Sequence, residues 1–368
     1  MLNVAVLFGG RSGEHEVSKC SAASVYSHLD RAKYKVTAVG IDRDGRWYPQ
    51  IPANIIDDKS FGHVLDFKKE GRWYVQNYFN SGKFEMFNAE NGETLTFDVI
   101  FPVVHGTFCE DGTLQGLLEL ASVPYVGSEV IGSSVGMDKE ASKRLMKECG
   151  VPVVPWITIR KHDWLGNGDF IVEEIKMELG LPCFVKPANS GSSVGIYKIK
   201  NVDEIKSLIE KAFRYDTKVL IEKAVDCREI ECAVMGNNEP QASVLGEIIP
   251  SHEFYSYEAK YIDANGASLV IPAKLPETLM NEIRNSAVCA YSNLYLKGMA
   301  RVDFFVDKKS GAYYLNEVNT IPGFTAISMY PKLWAETGVP YDKLLDHLID
   351  LALSRYTEKM SILTQYYD

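Results

Sequence analysis

Apolar residues run almost unbroken over 2–8 (LNVAVLF) and 97–104 (FDVIFPVV), the pattern of strands buried on both faces of a parallel sheet. The first run ends in Gly9-Gly10-Arg11-Ser12-Gly13-Glu14 and the second in His105-Gly106. Glycines followed by Ser and Glu at a strand end read as a tight turn into a helix N-terminus. We expect a helix to about residue 29, a second strand over 35–41 and a helix opening at 110–116, the start of a doubly wound α/β domain. Ligands of such sheets bind at the carboxyl ends of the strands. The loops 9–16 and 105–112 should therefore line one side of a cleft, with Glu14 and His105 at the same sheet edge. The GGxxG spacing does not match the GxGxxG of dinucleotide-binding folds.

Further along, 72–96 reads as strands with Gly-containing turns, and the chain leaves the first domain near 123–126. A helix is expected over 137–150, then a Pro-punctuated exit over 151–155. The strand 184–187 leads into Ala188-Asn189-Ser190-Gly191-Ser192-Ser193-Val194-Gly195 and a strand over 196–199. A Gly/Ser loop between two strands is no Walker loop, which opens a helix. It reads either as an exposed hairpin or as a flap whose N–H groups lie over phosphates, with Lys186 reaching the same phosphates. A helix over 202–213 and strands over 219–225 and 229–235 follow. Backbone groups of Lys223 and Val225 are candidates for a nucleotide base, with Glu229 for the ribose. The stretch 251–268 is irregular and carries four aromatic residues, which favours a lid over disorder. An amphipathic helix over 276–294 and closing helices over 334–355 complete the chain.

The most informative pattern is 299–324, two apolar runs joined at Lys308-Lys309-Ser310-Gly311. A hairpin centred on Ser310 sets Asp303 opposite Glu317 and Arg301 opposite Asn319. Side chains alternate along a strand, so all four share one face. Two carboxylates inside apolar strands cost on the order of several kcal/mol in desolvation. Either salt bridges or a hard cation offsets that cost, and Mg²⁺ suits an oxygen set completed by phosphates. A slip of one residue would destroy the arrangement.

Composition narrows the classes. A length of 368 residues suggests two or three domains, and 46% hydrophobic content supports an ordinary core. A net charge of −10 argues against nucleic acid and anionic membranes as partners. Seven cysteines without CxxC spacing read as reduced thiols of a cytoplasmic protein. The start of the chain shows no basic and apolar leader, and no apolar run approaches the length of a membrane span.

Taken in order, GGRSGEHEVS (9–18), HGTFCEDGTLQG (105–116), MDK (137–139), KPANSGSSVG (186–195), IEKAVDCREIE (221–231), FYSYEAKY (254–261), RVDFF and NEVNTIPGF resemble the D-alanine–D-alanine ligases of the ATP-grasp superfamily over nearly the whole length. The resemblance implies an N-terminal α/β domain (1–123), a central ATP-grasp domain with the flap (124–230) and a C-terminal ATP-grasp domain with lid and metal face (231–368). It implies an ATP-dependent ligation through an acyl phosphate, serving peptidoglycan synthesis in the cytoplasm, by a homodimer. Asp303, Glu317 and Asn319 would hold two Mg²⁺ ions, with Mn²⁺ as the alternative. Lys139, Lys186 and Lys260 would neutralise phosphate oxygens under the flap and Ser193. Glu222, Lys223, Val225 and Glu229 would hold adenine and ribose. Arg301 and the Gly323 amide would stabilise the oxyanion. Glu14 would anchor the first D-alanine's ammonium beside His105, and Ser328, with Met329 behind it, the second one's carboxylate. A Glu14–Ser192–Tyr261 network would close the lid and exclude water. Two departures stand out: Ser190, where many relatives carry a charge, and Asp226-Cys227-Arg228 in place of a Gly-containing turn. D-lactate or D-serine as second substrate is the alternative, against which the retained Tyr261 speaks. A dehydrogenase module lacks its GxGxxG, and a catalytically dead binding protein would not need the full metal face.

Overall fold

The computed structural model describes residues 1–368 apart from 59–61, 77–81, 251–265, 326 and 364–368. The first apolar run forms the strand Leu2–Gly9, which pairs parallel with Tyr34–Ile41 on one side and Val99–Pro102 on the other. Trp47–Gln50 closes the sheet antiparallel to Tyr34–Ile41. Val4 to Phe8 are fully buried, as the unbroken run requires. The chain leaves this strand at Gly9 with φ +89°, where an added Cβ would lie 2.3 Å from the Ile41 carbonyl, so both backbone angle and space demand glycine. The helix His15–His28 follows, as expected.

The second run is not one strand. Thr94–Phe97 ends a three-stranded antiparallel sheet with Trp73–Gln76 and Phe84–Asn88, and Val99–Pro102 starts again in the parallel sheet. Asp98 makes the break, its carboxylate accepting the Asn3 N–H at 2.8 Å. The ribbon Asn54–Asp58 with Gly62–Asp66 was not legible, because its first strand is exposed throughout and has no alternation.

An antiparallel sheet of Trp156–Arg160, Lys218–Lys223, Cys183–Pro187 and Tyr197–Ile199 carries the flap loop between its last two members. The helices Lys161–Glu178 and Ile205–Ala212 share a core with it through Ile159, Ile175, Val185, Ile209 and Ile221. The expected helix over 137–150 forms as Lys139–Glu148, directly after a shorter helix that the sequence did not announce. Met137 ends the helix Val130–Met137, and Asp138 caps Lys139–Glu148 by accepting from the Glu140 and Ala141 amides.

The five-stranded antiparallel sheet runs Ala267–Val270, Gln241–Pro250, Cys227–Gly236, Gly298–Asp307, Tyr313–Asn319. The end of the expected lid, 266–268, thus leads into an edge strand, while 251–265 lie outside the described residues. The helix Glu277–Asn293 packs through Ile283, Ala287 and Ala290. A separate core joins the first sheet (Val4, Val6, Phe101) to the closing helices (Tyr330, Leu333, Leu345, Leu348) and to Ile321 and Phe324. This shared core holds the N-terminal strand ends against the segment after the hairpin. Among the described residues no helix is long and apolar enough to cross a membrane. None of the seven cysteines is in a disulfide.

Candidate active site

The hairpin face forms as the sequence pattern requires: Arg301 pairs with Asn319 and Asp303 with Glu317. The turn, however, is one residue tighter than a centre at Ser310. Asp307 N–H donates to the Ala312 carbonyl, and Phe304 pairs with Leu315. Asn316 is the extra residue of a bulge that restores the register before Glu317. Arg301 holds Asp303 in a fork, Nε to Oδ1 at 2.8 Å and Nη2 to Oδ2 at 2.7 Å, and reaches Glu231 at 3.0 Å. Asn319 donates to Asp303 at 2.9 Å, and Lys139 Nζ lies 3.3 Å from Glu317.

The N-terminal strand ends face this surface. His105 is buried, with Nδ1 3.0 Å from the Ile321 carbonyl and Nε2 3.2 Å from Ser21 Oγ. Burial and the Arg301 charge push its pKa down to about 4, so the ring is neutral at ordinary pH. Glu110 accepts the Gly106 and Ile321 amides at 2.7 and 3.0 Å and so ties the 105–112 loop to the loop after the hairpin. Burial and the neighbouring Glu14 push Glu110 up to about 8. Glu14 is buried beneath the flap, where Ser192 Oγ donates to its Oε1. A Cβ on Gly191 would lie 2.7 Å from Glu14 Oε2. The flap backbone can approach Glu14 this closely because residue 191 has no side chain.

Behind the face, Glu222 is sealed between two lysines, Lys186 at 2.7 Å and Lys143 at 3.3 Å. Burial lowers the Lys143 ammonium despite Glu222. Burial opposes the charge on Lys186 too, but Glu222 outweighs it and holds Lys186 above its ordinary value. Lys186 also donates to Asn316 at 3.1 Å, and Lys139 to the Ser190 carbonyl at 2.7 Å.

A cleft of ≈ 140 Å³ gathers Glu14, His105, Ser192, Glu229, Arg301, Asp303, Glu317, Asn319, Gly323, Ser328 and Met329. Glu14, His105, Glu110 and Ser192 therefore meet the hairpin face and the segment after it at one place. Lys139, Lys186 and Glu222 adjoin it through Glu317 and Asn316. Lys223 and Val225 are not among its lining residues, and the Lys223 N–H is spent on the Pro155 carbonyl. Lys260 and Tyr261 lie outside the described residues. Sequence reasoning missed Glu110, Lys143 and Asn316. Lys143 had a signal, since it follows Lys139 by four residues on one helix face.

Among the described residues no three His, Cys, Asp or Glu side chains group as a ready-made metal site. The donor set fits Mg²⁺ nonetheless, because that ion needs only one or two carboxylates when phosphates complete its shell. Asp303, Glu317 and the Asn319 amide supply such oxygens, and the cations now beside them balance their charge.

Two family models cover most of the chain: D-ala D-ala ligase N-terminus over residues 3–128 and D-ala D-ala ligase C-terminus over 145–350. The chain belongs to the D-alanine–D-alanine ligase family. Within this ligase family it is 48% identical to the D-alanine–D-alanine ligase of Thermoanaerobacter sp. (strain X514), over 97% of this chain and 98% of the relative. It is 47% identical to that of Caldicellulosiruptor bescii, over 98% of each. A solved D-alanine-D-alanine ligase from Coxiella burnetii matches with TM-score 0.79 at 35% identity, covering 98% of each chain. The VanG D-Ala:D-Ser ligase from Enterococcus faecalis matches with TM-score 0.79 at 33% identity, over 95% of this chain and 99% of that one.

Proposed function

We propose that the protein joins two D-alanines to D-alanyl-D-alanine at the expense of ATP, in the cytoplasm, for peptidoglycan precursors. The observation that carries this reading is the Asp303–Glu317 and Arg301–Asn319 pairing, which faces Glu14 and Ser192 across one cleft. The carboxylate of the first D-alanine attacks the γ-phosphorus of ATP, ADP leaves, and D-alanyl phosphate forms. The amine of the second D-alanine then attacks the acyl carbon, loses a proton, and inorganic phosphate departs. Such phosphoryl transfer needs positioning and charge neutralisation above all.

Glu14 anchors the first ammonium, with neutral His105 beside it. Arg301 and the Gly323 N–H stabilise the oxyanion of the tetrahedral intermediate. Lys139, Lys186 and Lys260 take phosphate oxygens, and Ser193 covers them with the flap. Two divalent cations, Mg²⁺ or Mn²⁺, held by Asp303, Glu317 and Asn319 would offset the remaining phosphate charge. Glu222 acts through the two lysines that enclose it, leaving the base to the Lys223 carbonyl and the Val225 backbone and the ribose to Glu229. Ser328, backed by Met329, receives the second carboxylate. Ser192 on Glu14 joins Tyr261 in closing the site, which keeps water from the acyl phosphate. The division at 123/124 and 230/231 and a homodimer belong to the same proposal, the latter tested by sedimentation.

Phosphate release from MgATP tests the reading. D-alanine alone should support it and L-alanine should not, and D-lactate or D-serine added with D-alanine should yield little mixed product. Absence of D-alanine-dependent release would overturn the activity.

A further inference from the structure

Gly246 lies in the interior of the strand Gln241–Pro250, where glycine weakens a strand unless something approaches closely. What approaches is Met329. A Cβ at position 246 would lie 2.9 Å from both Cε and Sδ of Met329 and 3.0 Å from Leu333 Cδ2. Its backbone angles call for no glycine, since Gly246 is not among the positive-φ residues. Space is therefore the reason for glycine. Met329 starts the helix Met329–Glu336 and lines the cleft beside Ser328, Ile248 and Leu269. The residues behind it on that helix, Tyr330, Leu333 and Trp334, are buried in the core.

We propose that Gly246 is a specificity-determining residue for the second amino acid, acting through Met329. The missing side chain is the recess into which the thioether retracts. Filling the recess drives a flexible methionine toward the open volume it already borders, because the packed core behind it yields less readily. The subsite for the acceptor's side chain then shrinks. The inference rests on the ligase reading above and on Ser328 as the acceptor's carboxylate site.

The test is Gly246→Ala, assayed with D-alanine as donor and D-alanine against D-2-aminobutyrate as competing acceptors. One methylene in an apolar pocket is discriminated by roughly tenfold or more. The ratio of mixed to homogeneous dipeptide should fall about tenfold in Gly246→Ala, with the KM for MgATP unchanged. Gly246→Ala/Met329→Ala should restore or exceed the original ratio. A merely structural glycine would lower the melting temperature and leave the ratio alone, which overturns the proposal. If Gly246→Ala fails to fold, the double variant decides. A folded double variant with a raised ratio supports the recess, and one that also fails to fold assigns the glycine to Leu333 and the core. If the unaltered chain makes no dipeptide, the ligase reading fails instead.

Discussion

Asn316, the bulged residue of the last strand, accepts a hydrogen bond from Lys186 of a different sheet at 3.1 Å. The bulge thus does two things. It restores the register that pairs Asp303 with Glu317, and it points an amide at a lysine proposed to hold phosphate. Asn316→Ala should remove this bond while Lys186 keeps Glu222. One lost hydrogen bond to a charged group is worth about 1.5–3 kcal/mol at most. The KM for MgATP should rise roughly tenfold, with the melting temperature little changed, in steady-state kinetics and thermal denaturation. An unchanged KM would detach Lys186 from the nucleotide.

Glu222 and its two lysines make a buried group with one carboxylate for two ammoniums. Lys143→Met leaves a balanced Lys186–Glu222 pair. Glu222→Leu leaves two buried ammoniums facing each other. Breaking a buried pair costs about 3–5 kcal/mol, whereas replacing a surplus ion by an apolar side chain costs far less. Urea denaturation should therefore rank Glu222→Leu as the more damaging by about 2 kcal/mol or more. The reverse order would mean that Lys143, not Glu222, is the hub.

Asp138 caps the helix that carries Lys139 with one oxygen and accepts from Lys218 at 2.6 Å and from Asn189, at the flap's root, at 3.4 Å with the other. Asp138→Ala should cost about 1 kcal/mol through the cap alone. Asp138→Ser should recover that stability but not the tie to Asn189. Limited proteolysis should then cut the flap faster in both variants. Equal protection in all three proteins would show that the flap does not depend on this carboxylate.

His105 gives a signed pH dependence. Its ordinary value is 6.5 and its folded value about 4, so below about pH 6.5 the unfolded chain takes up a proton that the folded chain refuses. Its contribution is constant above that pH, and stability falls as the pH drops from about 6.5 toward 4, by up to ~3 kcal/mol. His105→Gln, neutral throughout, should show a shallower decline in melting temperature over this window. Parallel curves would mean that the ring takes up its proton as readily in the folded chain as in the unfolded one.

Asp303→Ala should remove a proposed metal ligand without stranding Arg301, which keeps Glu231 at 3.0 Å. We expect turnover to fall by a factor on the order of a hundred or more with the circular dichroism spectrum intact. A fully active variant would remove the metal from this face.

The sequence determined strands buried on both faces, such as Leu2–Gly9, because such burial leaves unbroken apolar runs, and it determined the chemistry of the hairpin face, because alternation fixes which residues share a side. It also placed Glu14 and His105 together, since strand ends in a parallel sheet open on one edge. What it did not hold was the compensation between distant parts. The hairpin turn is one residue tighter than a centre at Ser310 would give, and only the bulge at Asn316 brings Asp303 back opposite Glu317. Asp98 breaks one apolar run into two strands by bonding to Asn3, ninety-five residues away. Glu110, Lys143 and Gly246 matter through what packs against them: two loop amides, a carboxylate on a distant strand facing the helix of Lys143, and a methionine on a later helix. Local periodicity reports a residue's own face. The partner that gives a buried charge or a missing side chain its meaning comes from elsewhere in the chain, and only the tertiary fold brings the two together.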